Sequence, residues 1–283
     1  MDDLWYSEYH TPNVRFSLKV SRQLHNEKSN YQKISVFESA EFGRFLTLDG
    51  IMMLTERDEF IYHEMITHPA MAVNPNIKTV LVIGAGDGGV ARELAKYQGI
   101  EHIDVVEIDE RVVAVCKEYL PQTACGFDDP RICLHFQDGL KFVRHTEKGY
   151  DLIIVDSTDP FGPGEVLFTK EFYGNCCRAL NEKGILINQH ESPFYKEDAK
   201  AMKSAHRRIS HAIPMSYVYQ AHIPTYPSGH WLFGFASKTL HPIKDLKAEQ
   251  WNELGIKTLY YNTDLHQGAF GLPTYVKEML KDE

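Results

Sequence analysis

From residue 78 onward, short apolar runs alternate with longer stretches in which apolar positions recur every three or four residues. The runs at 79–83, 103–107, 132–136, 152–155 and 185–188 have the length and β-branching of buried strands. The stretches between them, such as 90–97, 111–120 and 170–180, predict helices. Strands and helices alternating over short turns predict an α/β fold built on a parallel, doubly wound sheet. Apolar runs at 216–223 and 231–236 are expected to complete that sheet, and 274–280 reads as a C-terminal helix.

The first 60 residues follow a different rhythm. Arg15 to Val20 alternates apolar and polar positions, and 34–39 and 44–48 also read as strands. Glu41-Phe42-Gly43 is one turn signal, and Asp49-Gly50 between apolar flanks is a hairpin signal. The expectation is a small antiparallel meander. A helix over 56–71 follows, carrying Tyr62 and His63, and Asn74-Pro75-Asn76 closes it. The chain therefore divides into a β domain, 1–60, and a larger α/β domain, 61–283, with no repeats or long linkers.

Composition narrows the class. The 43% hydrophobic and 24% charged content is ordinary for a water-soluble globular protein. No apolar stretch approaches the roughly 18–20 residues that span a bilayer, and the first residues lack the pattern of a signal peptide. A cytoplasmic protein with no membrane partner is the expectation. The net charge of −9 argues against nucleic acid as a partner and suits a cationic small molecule. The five cysteines, Cys116, Cys125, Cys133, Cys176 and Cys177, form no Cys-x-x-Cys pair, so neither a disulfide frame nor a zinc knuckle is expected. Cys176-Cys177 reads as helix packing. His68, His102, His135 and His211 read as packing or surface histidines, and Trp5 is expected to line a pocket or pack in the core.

The chemistry concentrates at strand ends. The run Leu152–Val155 ends in Asp156 and Asp159, and Pro160 stops it. In open α/β sheets ligands bind at the carboxyl ends of the strands. On these residues alone, a plain turn reads as well. The turn Gly84-Ala85-Gly86-Asp87-Gly88-Gly89 joins a strand to a helix, as glycine-rich nucleotide-binding turns do. Glu107 ends the next strand, where an acid grips a ribose diol. Asp87 is unusual, because an anion in this loop repels the pyrophosphate of a dinucleotide. It favours a ligand without phosphates and with a positive group. Asp138-Gly139 follows the third strand and fits either an adenine contact or a simple turn. Asp87, Glu107, Asp138, Asp156 and Asp159 would then surround one crevice, which is costly unless cations pair with them. A metal is the less favoured cation, since no His or Cys stands at ligand spacing.

Taken together, these segments resemble the spermidine synthases, the polyamine aminopropyltransferases. The matching stretches are Tyr31-Gln32, Asp58 to Met65, Gly84 to Glu93, Val106 to Asp109, Asp138-Gly139, Asp156 to Pro160 and Pro224 to Gly229. The resemblance implies a Rossmann-like, methyltransferase-type sheet with helices on both faces, preceded by a small antiparallel β domain. It also implies transfer of the aminopropyl group of decarboxylated S-adenosylmethionine to putrescine, giving spermidine and 5'-methylthioadenosine. No cofactor or metal is implied, because the donor is a co-substrate.

Site residues follow from the same resemblance. Asp156 is the implied base, and Asp159 anchors the far ammonium of putrescine. Tyr62 and Tyr226 orient the amine, with His63, Ser157 and Thr158 beside it. Asp87 binds the aminopropyl ammonium and rejects the carboxylate of ordinary S-adenosylmethionine. Gln32, Gly84, Gly86, Glu107, Asp138, Gly139 and Pro163 surround the methylthioadenosine part. Homodimers or homotetramers are implied. The stretch 161–165, Gly/Pro-rich and just past Asp156 and Asp159, reads as a lid or as a plain exposed loop. Ala85 stands where the family usually has glycine, and it is expected to be tolerated on a negative φ. Methyltransferases of similar fold often place an acid two residues before the first glycine, where this chain has Val82. Two other readings stay open: a polyamine N-methyltransferase, and a nucleoside-binding protein without catalysis.

Overall fold

The computed structural model describes residues 4–147, 149–157 and 167–281. Strands β1 (Trp5–Thr11) and β2 (Val14–Lys19) pair as an antiparallel hairpin. Strands β3 (Arg22–Lys28), β4 (Lys33–Ser39), β5 (Gly43–Leu48) and β6 (Ile51–Thr55) form an antiparallel sheet in chain order. Asp49 and Gly50 both take positive φ between β5 and β6, as a tight two-residue hairpin turn requires. The sequence reading passes over β1, where adjacent Trp5 and Tyr6 break the alternation, and β3, which holds a single apolar residue, Leu24. Trp5 departs from both expectations: it is 53% exposed on β1 and belongs to neither pocket nor core.

Helix α1 (Glu59–Val73) links this region to the main domain. Nearly every residue of α1 is buried, so the helix shows no polar face. Most of its polar side chains survive burial by pairing, although the Thr67 hydroxyl has no partner among the described residues. Glu64, for example, accepts the backbone N–H groups of Leu259, Tyr260 and Tyr261, each at 2.8 Å. Pro69 lies inside the helix and has no N–H to donate to the carbonyl of Met65. The hydroxyl of Tyr219 donates to that carbonyl instead, at 2.7 Å.

The main domain then alternates as the pattern predicts. Its elements are β7 (Thr79–Gly84), α2 (Gly89–Ala95), β8 (His102–Glu107), α3 (Glu110–Tyr119), the short α4 (Pro121–Ala124), β9 (Ile132–Phe136), α5 (Gly139–His145) and β10 (Tyr150–Asp156). They continue as α6 (Lys170–Ala179), β11 (Leu180–Gln189), α7 (Lys196–Ala212), β12 (Met215–His222) and β13 (His230–Ser237). Helices α8 (Ala248–Glu253), α9 (Thr263–Ala269) and α10 (Thr274–Lys281) follow. The sheet order is β12-β13-β11-β10-β7-β8-β9. β7 to β11 run parallel, but β13 runs antiparallel to both of its neighbours. The parallel, doubly wound arrangement expected of the alternating region is present in β7 to β11, and the single reversed strand β13 makes the whole sheet mixed. The short link from β12 to β13 forces the reversal, since a parallel neighbour needs a long crossover.

Alternation along the strands splits the core in two. Val80, Val82, Leu152 and Ile154 pack with α1, α2 and α3 on one face. Leu81, Ile83, Ile153 and Val155 pack with α5, α6 and α7 on the other. Helix α7 escapes the sequence reading because its buried stripe, Ala199, Met202, Ala205 and Ile209, holds two alanines. The chain passes from β7 outward to β9 and returns to β10 on the opposite side of β7. That reversal opens a crevice at the carboxyl ends of β7 and β10. No helix among the described residues is long and apolar enough to cross a membrane.

Candidate active site

The strand register brings Asp156 and the glycine turn together. Asp156, the last residue of β10, pairs with Gly84, the last of β7. The backbone N–H of Ala85 donates to the carbonyl of Asp156 at 3.0 Å. Gly84 has φ +88, and a Cβ there would lie 1.9 Å from that same carbonyl oxygen. Only glycine fits so close an approach. Ala85 overturns the expectation of a negative φ: it sits at φ 64, in the left-handed region. The bond to Asp156 and the tight turn hold it there, at a cost of roughly 1–2 kcal/mol for a residue with a Cβ.

Asp156 is a buried carboxylate with one oxygen committed. Oδ1 accepts the hydroxyl of Tyr62 at 2.6 Å. Oδ2 is buried with no hydrogen-bond partner among the described residues, and neither has the Ser157 hydroxyl. Burial, and then the charge of Asp87, push the Asp156 carboxyl up to about 7, against the opposing pull of His63 and Tyr62. Burial and the charge of Asp156 keep the Tyr62 hydroxyl protonated.

Behind Asp87 lies a chain of paired charges. Its Oδ1 accepts the backbone N–H of Gly89 at 2.6 Å and lies 3.1 Å from Nε2 of His63. Nδ1 of His63 lies 2.5 Å from Glu59, one turn earlier on α1. Arg92 on α2 grips both oxygens of Glu59, at 2.6 and 2.9 Å. With a carboxylate at each nitrogen, His63 is a doubly donating imidazolium. Burial opposes that charge, but Asp87 and Glu59 prevail and raise its pKa to about 10. Burial likewise works against the Asp87 carboxylate, and the His63 charge and the Gly89 N–H bring it net below its ordinary value. A Cβ on Gly89 would meet the His63 ring at 2.3 Å, so that glycine makes room for the imidazolium.

This arrangement corrects the argument from ligand spacing. His63, Asp87 and Asp156 do offer ligand atoms within 4.8 Å of one another. An imidazolium has no lone pair for a metal, so the hydrogen bonds account for the cluster. Glu59 and Arg92 went unnamed in the sequence reading. The i,i+4 spacing of Glu59 and His63 was the available signal.

Another side of the crevice is built at the ends of β8 and β9. Glu107 accepts the backbone N–H of Asp109 through Oε1 at 2.8 Å. Burial raises the Glu107 carboxyl to about 7. Gln32 donates to Oδ2 of Asp109 at 3.1 Å, and the Ser29 hydroxyl donates to the same oxygen at 2.6 Å. Asp109 therefore positions both Gln32 and Glu107. Asp138 caps α5, accepting the N–H groups of Leu140 and Lys141 at 2.8 and 3.1 Å. The turn expected at Asp138 is present, and Asp138 and Gly139 also line the crevice.

The opposite wall comes from Tyr226, Pro227 and Trp231. The Tyr226 hydroxyl donates to the Met53 carbonyl at 2.7 Å. Asp58 accepts both the N–H and the hydroxyl of Thr225, at 3.0 and 2.7 Å, and so ties that loop to the start of α1. Glu8, Glu191 and Asp198 add acids to the crevice that the sequence reading did not name. Gln32, Gly84, Gly86, Tyr62, His63, Asp87, Glu107, Asp156 and Ser157 all line it as well. Thr158, Asp159, Pro163 and the lid or loop expected at 161–165 lie outside the described residues.

Comparison with known proteins agrees with this geometry. Residues 59–247 match the spermine/spermidine synthase domain, and residues 4–56 match the spermidine synthase tetramerisation domain. The chain is 68% identical over 278 residues to a polyamine aminopropyltransferase of Clostridium beijerinckii, covering 98% of each chain. It is 67% identical over 281 residues to one of Alkaliphilus oremlandii, covering 99% of each. Among solved structures, spermidine synthase in complex with the transition-state analogue AdoDATO superposes with TM-score 0.95 at 44% identity, over 98% of this chain and 94% of that one. Spermidine synthase from Thermotoga maritima gives TM-score 0.95 at 43% identity, over 99% and 95%. By sequence, fold and crevice the chain belongs to the spermidine synthase family of polyamine aminopropyltransferases.

Proposed function

We propose that this aminopropyltransferase uses Asp156 as its general base, with putrescine as acceptor and decarboxylated S-adenosylmethionine as donor. A protonated amine has no lone pair to attack with. Asp156 takes that proton, the freed nitrogen attacks the carbon beside the sulfonium, and the carbon–sulfur bond breaks. The bond's electron pair returns to sulfur, so 5'-methylthioadenosine leaves as a neutral thioether. Tyr62 fixes the direction of the carboxylate and leaves Oδ2 for the amine. A carboxylate held near 7 is suited to accept and release protons at neutral pH.

The remaining roles follow from position. Glu107 accepts the ribose hydroxyls, Asp138 and Gly139 meet the adenine, and Gln32, Gly84 and Gly86 close around the nucleoside. Asp87, backed by His63, receives the donor's ammonium. Tyr226, Ser157 and Thr158 flank the acceptor, Asp159 holds its far ammonium, and Pro163 borders the nucleoside. Holding nucleophile and sulfonium in line supplies much of the acceleration.

The observation that carries this reading is the buried Asp156 oxygen without a partner among the described residues, in a crevice that Glu107 also lines. The test is product formation from putrescine with each of two donors. Spermidine from the decarboxylated donor, and a loss of roughly 10²–10⁴-fold in Asp156→Asn, is expected. Methylputrescine from S-adenosylmethionine, with no spermidine from the other donor, would establish the methyltransferase reading instead. Binding of methylthioadenosine without turnover of either donor would establish the non-catalytic one.

We further propose that residues 1–60 form an assembly domain and 61–283 the catalytic domain of a homodimer or homotetramer. Exposed Leu4, Trp5 and Tyr9 on the first hairpin support an interface there. Light scattering reads the assembly directly, and a monomer at assay concentration would overturn it.

A further inference from the structure

We propose that His102, Asp104, Cys133 and His135 form a binding site for a Zn²⁺-class transition-metal ion, stapling the edge strand β9 to β8. The sequence places the four side chains together in two steps. His102-x-Asp104 lies on β8 and Cys133-x-His135 on β9, so each pair shares one face of its strand. Asp104 is paired with Cys133 in the parallel register, so both pairs lie on the same face. None of the four lines the catalytic crevice.

The distances bring three donor groups within reach of one ion and set His135 beside Asp104 as the fourth. Nε2 of His102 lies 3.0 Å from Oδ2 of Asp104, and Nε2 of His135 lies 2.7 Å from Oδ1. His102, Asp104 and Cys133 each offer a donor atom within 4.8 Å of the others. Metal–ligand bonds of roughly 2.0–2.3 Å in a tetrahedron separate the ligand atoms by roughly 3.3–3.8 Å. Two imidazoles, a thiolate and a carboxylate suit zinc, cobalt or nickel, whereas magnesium and calcium prefer oxygen alone.

The surroundings supply what a metal site needs beyond its ligands. The hydroxyl of Tyr150 donates to Oδ2 of Asp104 at 2.9 Å and so orients the carboxylate. The Phe142 ring lies 5.1 Å from the ring of His135 and limits its rotation. Asp104 is buried, the two imidazoles are 30% and 32% exposed, and Cys133 is exposed, so an ion can enter from solvent. Binding displaces the thiol proton of Cys133 and any proton that the two imidazoles share with Asp104, releasing them to solvent. β9 is the last strand of the sheet and is held to it only through β8, so a metal bridging the two strands would add a second tie.

Cobalt titration of the metal-free, full-length protein tests the proposal, because thiolate-to-cobalt charge transfer reads a sulfur ligand directly. A single equivalent of Co²⁺ should give that absorption, and Zn²⁺ should displace it. Cys133→Ser should abolish the band, and His135→Gln should weaken cobalt binding at least about tenfold. Zn²⁺ should also raise the unfolding temperature of the wild type and not that of Cys133→Ser. The cluster of His63, Asp87 and Asp156 has no sulfur and cannot mimic the band. Wild-type protein without a thiolate band, or a band that persists in Cys133→Ser, would overturn the site. Cys133→Ser should retain wild-type spermidine formation without added metal, which shows that it is folded.

Discussion

The hydroxyl of Tyr62 donates to one oxygen of Asp156 at 2.6 Å, and the other oxygen of that carboxylate is buried without a partner among the described residues. The phenol has two effects. It fixes the plane of the carboxylate, and it favours the ionised form that a base needs. Tyr62→Phe removes both while keeping the ring packed against Phe233, 5.3 Å away. The loss of a hydrogen bond to a charged group, about 1.5–3 kcal/mol, should reduce kcat/KM near pH 7 by roughly 10–100-fold. The acid limb should also move to higher pH, so part of the loss returns at alkaline pH. A loss that is the same at every pH would assign Tyr62 to amine binding alone.

The wild-type acid limb follows from the same carboxylate. Its proton is held on up to about pH 7, first by burial and then by the Asp87 charge. Activity should therefore rise with pH through about 7. Glu107 is raised to about the same value by burial, so the limb should be steeper than a single ionisation and belong to both groups. Asp87→Asn removes the repelling charge and should shift the Asp156 part of the limb downward. A pH–rate profile of kcat/KM checks both statements, and an unshifted limb in Asp87→Asn would remove the coupling.

In the proposed reading, donor discrimination depends on the balance between Asp87 and His63. In the wild type the imidazolium is neutralised by carboxylates on both sides. Removing Asp87 leaves a positive ring facing the crevice. Asp87→Ala should bind decarboxylated S-adenosylmethionine more weakly and ordinary S-adenosylmethionine more tightly, since its carboxylate can pair with His63. The expected change in the ratio of the two dissociation constants is at least about tenfold, an effect of 1.4 kcal/mol or more. Calorimetric titration of each donor reads it, and an unchanged ratio would move discrimination elsewhere.

Strain at Ala85 gives a stability test. Its φ of 64 is imposed by the bond from its N–H to the Asp156 carbonyl and by Gly84 packed against that carbonyl. Ala85→Gly relieves roughly 1–2 kcal/mol of left-handed strain and loses roughly 0.5–1 kcal/mol through greater freedom in the unfolded chain. A net gain of up to about 1.5 kcal/mol is expected from chemical denaturation. A loss of stability would mean that the methyl's packing outweighs the strain.

What the sequence disclosed depended on how local the signal was. Val80–Ile83 and Leu152–Val155 read as strands because burial on both faces leaves an unbroken apolar run. Asp156, Asp87, Glu107 and Asp138 were legible because each sits where a strand ends, and the topology brings those ends together. The sign of φ at Ala85 was not legible, because a carbonyl 71 positions away sets it. Nor was the partnership of Glu59 with Arg92, which joins two helices 33 residues apart. Asp109 was quoted within a motif, but its task of holding Gln32 needed the packing of the N-terminal sheet onto β8 and α3. The reversal of β13 is likewise a matter of connection length, which an apolar run does not encode.

The Glu59–His63–Arg92 chain carries the last prediction, because its contribution to stability has a defined pH window. Burial works against the Glu59 carboxylate, but His63 and Arg92 prevail and lower it from 4.5 to about 2. Its contribution is therefore present above 4.5 and lost as pH falls toward 2. His63 is raised from 6.5 to about 10, so its contribution is present below 6.5 and lost as pH rises toward 10. The two overlap fully between about 4.5 and 6.5. Glu59→Gln leaves an amide that still accepts from Arg92 but does not balance its charge. Breaking a buried ion pair on one side costs about 3–5 kcal/mol, and the retained acceptor places this variant near the lower figure. The stability difference between wild type and variant should be largest at pH 5–6 and shrink on both sides. Urea unfolding of both proteins across pH 3–9 measures that difference, and a constant difference would show that Glu59 acts through packing and not through its charge.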